Sequence, residues 1–169
     1  MSIHQRLRGL VLCAFLLVGA KASSAGAQNE AYIPVDRYDP ARNAQKDIDA
    51  AVAEAQHTGK RVLVEVGGEW CSWCHTMDRF FQEHPDLLAL RRKNFVMVKV
   101  NYSRENENRK VLSQYPPIPG YPHLFVLDGD GRLLRSEDTS ALEEGKSYNL
   151  ERFLAFLRKW APPSEKVTK

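Results

Sequence analysis

The chain has 169 residues, of which 24 are basic and 21 acidic, and three are cysteines. A net charge of only +3 provides no basic field for nucleic acid or an anionic membrane surface, and the length suits one ordinary domain rather than two. Three cysteines cannot staple a small scaffold with several bridges, so the fold has to come from a buried core.

Residues 1–27 read as a leader. His4, Arg6 and Arg8 make a basic start, Leu10 to Ala20 is an apolar run short for a bilayer span, and Ala25-Gly26-Ala27 is a small-x-small cleavage site. The chain is therefore expected to be exported, to the periplasm in a bacterium and otherwise to the secretory pathway, and to start near Gln28. An uncleaved anchor is the alternative; Lys21, which interrupts the run, argues against it. Cleavage removes Cys13 and three basic residues, leaving Cys71 and Cys74 and a charge near zero. After cleavage a monomer is expected, with no membrane or nucleic-acid partner.

Residues 28–43 are polar and aperiodic, an extended arm. Helical spacing of Ile48, Val52 and Ala55, stopped by Gly59, predicts a helix over 44–57. Arg61 to Val66 is a β-branched run that predicts a strand buried on both faces. Cys71 to Glu83 returns to helical spacing, and Pro85 opens a short helix to Arg92. Phe95 to Val100 is a second dense strand, Ser103 to Gln114 a polar helix, and His123 to Leu127 a third strand. Asp128-Gly129-Asp130-Gly131 turns it into an antiparallel return over 132–135. A polar loop leads to a last helix over 149–160, capped by Asn149. The domain spans 44–162, followed by a polar tail over 163–169. Two helical crossovers before a terminal hairpin predict an α/β fold with a mixed sheet covered on both faces.

The pentapeptide Cys71-Ser72-Trp73-Cys74-His75, behind Trp70 and a buried strand, carries most of the chemistry. Two thiols three residues apart at a helix N-terminus can open and close a disulfide, because that end favours the attacking thiolate. A permanent structural bridge would close too small a loop to constrain the unfolded chain much. Cys-x-x-Cys-His is also the attachment signature of c-type haem, with Met77 and Met97 available as a sixth ligand. A zinc site lacks a second ligand pair, so no metal is expected. Glu65 and Lys99 are lone charges in apolar strands. Either they lie close together, because isolated buried charges are costly, or both turn outward at an edge.

With strand, Trp-Cys-x-x-Cys at a helix start and then Gly120-Tyr121-Pro122 before a hairpin, the chain resembles the thioredoxin superfamily from about Ala44 to Trp160. Within it the chain resembles exported members bearing Trp-Cys-x-Trp-Cys. The resemblance implies a thioredoxin fold of about four strands and a thiol–disulfide oxidoreductase. Its redox group would be the Cys71–Cys74 pair itself, without organic cofactor or metal. Its partners would be cysteine-containing exported proteins or a redox partner protein. Cys71 would be the exposed nucleophile and Cys74 the resolving thiol, with Glu65 beneath Cys74 exchanging its proton. Pro122 would be the cis-proline, and Trp70, Trp73 and Tyr121 an aromatic rim for unfolded polypeptide. His75, where lysine is common, and Ser72-Trp73, where thioredoxin has Gly-Pro, are the departures that bear on redox potential. A redox-inactive binding or chaperone module for unfolded chains is the other class of function.

Overall fold

In a computed structural model, residues 32–163 are described; the leader, the first residues of the arm and most of the C-terminal tail lie outside them. Four strands form one sheet in the order β2-β1-β3-β4. Arg61–Gly67 (β1) pairs in parallel with Phe95–Asn101 (β2) and antiparallel with His123–Leu127 (β3). Leu133–Asp138 (β4) returns antiparallel on β3.

Period-two alternation sends the side chains of β1 to opposite faces. Val62, Val64 and Val66 pack with Ile48, Ala51 and Ala55 of helix α1 (Ala44–Thr58) on one side. Leu63 faces the other side, where it meets Met77 and Phe81 of α2 (Ser72–Glu83), Leu87 of α3 (Pro85–Asn94) and Phe153 and Leu157 of the C-terminal helix α5 (Leu150–Lys159). The fully covered strand accounts for the unbroken apolar run in its sequence. Glu65 shares the α2 side with Leu63, and this places a carboxyl under the helix that carries the cysteines.

Three local expectations need correction. The helix foreseen over Ser103–Gln114 is reduced to Arg109–Leu112 (α4). Asparagine side chains compete with a helical path there: the Asn101 amide donates to the Asn106 carbonyl at 2.9 Å and the Asn108 amide to the Asn101 carbonyl at 2.7 Å, with Asn108 at φ 48°. Strand β4 runs three residues beyond the expected end at Arg135, its pairing reaching His123 opposite Asp138. The loop before α5 is also ordered, with a 3₁₀ turn at Thr139–Leu142 and a small hairpin, Glu143–Glu144 (β5) with Ser147–Tyr148 (β6). Leu142 and Tyr148 are buried anchors of that segment. Among the described residues no helix is long and apolar enough to cross a membrane.

Candidate active site

Cys71 is the N-cap of α2, in extended conformation, and its sulfur accepts the Cys74 backbone N–H at 3.1 Å. The sulfur therefore meets the unpaired amides and the positive end of the helix dipole, where negative charge is stabilised. The two cysteines form a disulfide, with α-carbons 5.3 Å apart. Cys71, expected as the exposed thiol, is buried; at 4% exposure against 0% for Cys74, it still lies on the solvent side of the pair. The reason is a lid of aromatic and arm residues: Trp73, Tyr121 and Tyr38 pack directly on the pair.

The rim is divided. Trp70 is 58% exposed, its ring edge-on to Tyr121 at 5.5 Å, and its indole N–H donates to the Tyr102 carbonyl at 2.7 Å. Tyr102 stacks on Tyr121 at 4.9 Å. Trp73 turns the other way, half-buried against Tyr148 at 5.5 Å. The Tyr121–Pro122 bond is cis, and the Thr139 hydroxyl holds that segment by donating to the Pro122 carbonyl at 2.6 Å. Burial pushes the Tyr121 hydroxyl up to about 12, so the rim is uncharged near neutral pH. His75 lies half-exposed on α2 with its Nε2 at 2.8 Å from the Glu69 carbonyl oxygen. That contact ties the imidazole to the loop before the helix.

Glu65 and Lys99 stand opposite each other in the β1–β2 register, and both are buried; the edge-facing alternative is excluded. Their pairing is looser than expected. Lys99 Nζ is 3.7 Å from Glu65 Oε1, but donates to both carboxylate oxygens of Asp78 at 2.6 and 2.7 Å. Asp78, one helical turn after Cys74, is a site residue that sequence reasoning missed. Tyr38 is a second: its hydroxyl donates to Glu65 Oε1. Burial, ahead of the opposing pull of Lys99, raises the Glu65 carboxyl above its ordinary range.

Gly67 ends β1 where Cys74 and Tyr38 converge. A β-carbon there would overlap Cys74 Sγ and lie 2.8 Å from the Tyr38 hydroxyl oxygen. Gly67→Ala is expected to cost about 1–3 kcal/mol through overpacking, read as a lowered urea midpoint of the oxidised protein; an unchanged midpoint would show that the space is free. Among the described residues no group of three or more His, Cys, Asp or Glu side chains is disposed to hold a metal ion.

Comparison with known proteins agrees with this architecture. The thioredoxin-like family matches residues 43–129. The chain is 24% identical over 120 residues to the thiol:disulfide interchange protein DsbD of Pseudomonas fluorescens, covering 70% of this chain and 19% of that one. It is 26% identical over 116 residues to DsbD 2 of Pseudomonas aeruginosa, covering 68% and 18%. It thus spans about a fifth of the length of these relatives. A disulphide isomerase from Xylella fastidiosa Temecula1 shares the fold at TM-score 0.61 and 22% identity, with 75% of this chain and 97% of that one covered. The oxidised C-terminal domain of DsbD from Neisseria meningitidis does so at TM-score 0.50 and 19% identity, with 73% and 97% covered. The chain belongs to the thioredoxin-like family.

Proposed function

We propose that the protein is exported and exchanges its Cys71–Cys74 pair with disulfides or thiols of exported proteins, without metal or organic cofactor. The observation that carries the reading is a disulfide seated at the N-terminus of α2, above a fully buried carboxyl on β1. In the reducing direction the Cys71 thiolate attacks one sulfur of a substrate disulfide, whose S–S bond breaks and releases a thiolate. The Cys74 thiolate then attacks Cys71 Sγ, the mixed disulfide breaks, and the second substrate thiolate leaves. Two electrons pass to the substrate and the Cys71–Cys74 bond re-forms. Cys71 is the nucleophile because its sulfur is the one on the helix amides, and Cys74, with no exposure, resolves.

The exposed Trp70, with Tyr121 beside cis-Pro122, suits a polypeptide laid across the disulfide. His75 is assigned a tuning role at most, through the helix end on which it stands. The leader pattern of residues 1–27 supports export, to the periplasm in a bacterial host, and the mature chain is expected to begin near Gln28 when its mass is measured. The reducing direction is favoured because a buried carboxyl under Cys74 suits repeated deprotonation of that thiol. Insulin reduction by dithiothreitol tests the function: catalytic amounts of the protein should markedly advance precipitation of the insulin B chain. A module that only binds unfolded chains would give the uncatalysed time course.

A further inference from the structure

Tyr38 comes from the arm, a segment with no periodicity to tie it to the dithiol, yet it occupies the centre of the site. The arm runs beside β2: Val35 pairs in parallel with Val98, and the Val35 carbonyl accepts the Lys99 N–H at 2.9 Å. That docking leaves Tyr38 4% exposed and clustered with Cys71 and Cys74. Its hydroxyl donates to Glu65 Oε1, while Glu65 Oε2 is buried without a hydrogen-bond partner among the described residues. The same hydroxyl and Cys74 Sγ converge on the space over Gly67. The bonded oxygen of the carboxyl thus faces a phenol that itself borders the resolving sulfur.

We propose that the Tyr38 hydroxyl is the relay through which Glu65 takes and returns the proton of Cys74. The inference rests on the dithiol reading above and adds the route of its proton. During resolution the Cys74 S–H proton passes to the Tyr38 oxygen as the Tyr38 proton passes to Glu65 Oε1. The freed Cys74 sulfur bonds to Cys71 Sγ, and the bond from Cys71 to the partner sulfur breaks, its electron pair leaving on the partner as a thiolate. Tyr38 is neutral before and after, and Glu65 ends protonated; opening the disulfide runs the transfer backwards. A phenol is suited to this because burial, and then the Glu65 charge, hold its pKa well above the ordinary value, so it passes a proton on without staying ionised. The charged and titratable groups that face the relay are Lys99 from β2, Asp78 from α2, Arg91 from α3 and Tyr148 from β6. Lys99 Nζ also lies 4.7 Å from the centroid of the Tyr38 ring.

Tyr38→Phe keeps the ring and deletes the relay. The reduced protein is mixed with one equivalent of 4,4′-dithiodipyridine, so that the first thiopyridone released reports attack by Cys71 and the second reports resolution by Cys74. In Tyr38→Phe the second phase should slow about tenfold or more near neutral pH, somewhat below the range for a positioned base because water can partly substitute. It should recover toward wild type as pH passes the ordinary thiol value of about 8.5. The first phase should stay within about twofold, and Glu65→Gln combined with Tyr38→Phe should be no slower than the slower single variant, since the two act in series. An unchanged second phase, or one slowed equally at every pH, overturns the relay. Should Tyr38→Phe fail to fold, the wild-type second phase is followed in mixtures of H₂O and D₂O. Two protons in flight give a bowed dependence on deuterium fraction; a linear one overturns the proposal. Because the small disulfide reads the intramolecular step alone, a wild type inert toward insulin with a tyrosine-dependent second phase sinks only the enzymatic reading. A wild type active on insulin with a tyrosine-independent second phase sinks only the relay.

Discussion

Cys74→Ser is expected to accumulate covalent adducts with disulfide-bearing polypeptides, and Cys71→Ser to accumulate essentially none. The asymmetry follows from position. Cys71 Sγ lies on the first free amides of α2 and keeps the pair's only exposure, so attack survives when Cys74 is a serine. Resolution does not, because the hydroxyl in place of Cys74 is far too weak a nucleophile to cleave the mixed disulfide. Incubation with insulin followed by non-reducing electrophoresis should show the adduct band with Cys74→Ser alone, dissolved by dithiothreitol. Both single variants should lose catalysed insulin reduction to the uncatalysed baseline, a loss of about a hundredfold or more, and the double variant should lose no more, as residues acting as one unit are not additive. Equal trapping by the two variants would reverse or void the assignment. A Cys71→Ser protein that still turned over would remove the dithiol from the mechanism.

What the sequence made legible follows from what is local. The apolar runs at Arg61–Gly67 and Phe95–Asn101 appear as buried parallel strands because both of their faces are covered, and the Gly59 stop and Asn149 cap mark α1 and α5. The Trp-Cys-x-x-Cys segment falls at a helix start because cysteine there caps α2, and period-two alternation places Glu65 beneath that helix. The rest is long-range. Tyr38 reaches Glu65 across 27 residues of sequence, and no pattern in the arm announces it. Asp78 sits on a helix where a charge ordinarily faces water, and among the described residues only the distant Lys99 gives it a partner. The Ser103–Gln114 helix was the opposite case: moderately helical composition, but Asn101, Asn106 and Asn108 close their own side-chain bonds and fix a turn. Trp73 could not be sorted from Trp70 by spacing alone, since the packing of Tyr148 from the small hairpin draws it inward.

Glu65→Gln should lower turnover about a hundredfold near neutral pH, the contribution of a positioned base, while alkylation of Cys71 by iodoacetamide changes little. Its effect on stability should differ in sign from its effect on rate. Burial raises the folded-state pKa of Glu65 above the unfolded value, so the folded protein holds this proton more tightly than the unfolded chain. The resulting stabilisation is complete below the unfolded pKa of about 4.3 and is lost as pH rises through the folded value. Glutamine does not titrate, so urea midpoints should move in favour of the variant as pH is raised from about 4 to 8. The usual objection is that removing one member of a buried pair strands the other charge. It loses force here because Lys99 keeps both oxygens of Asp78, at 2.6 and 2.7 Å, whereas Glu65 is 3.7 Å away. In double-mutant cycles the Glu65→Gln and Lys99→Met changes should therefore couple, but less strongly than Asp78→Asn and Lys99→Met, with coupling energies within the range of about 0.5–3 kcal/mol seen for contacting groups. A Glu65→Gln protein with wild-type turnover and a midpoint difference that does not vary with pH would mean that this carboxyl neither carries the proton nor feels its burial.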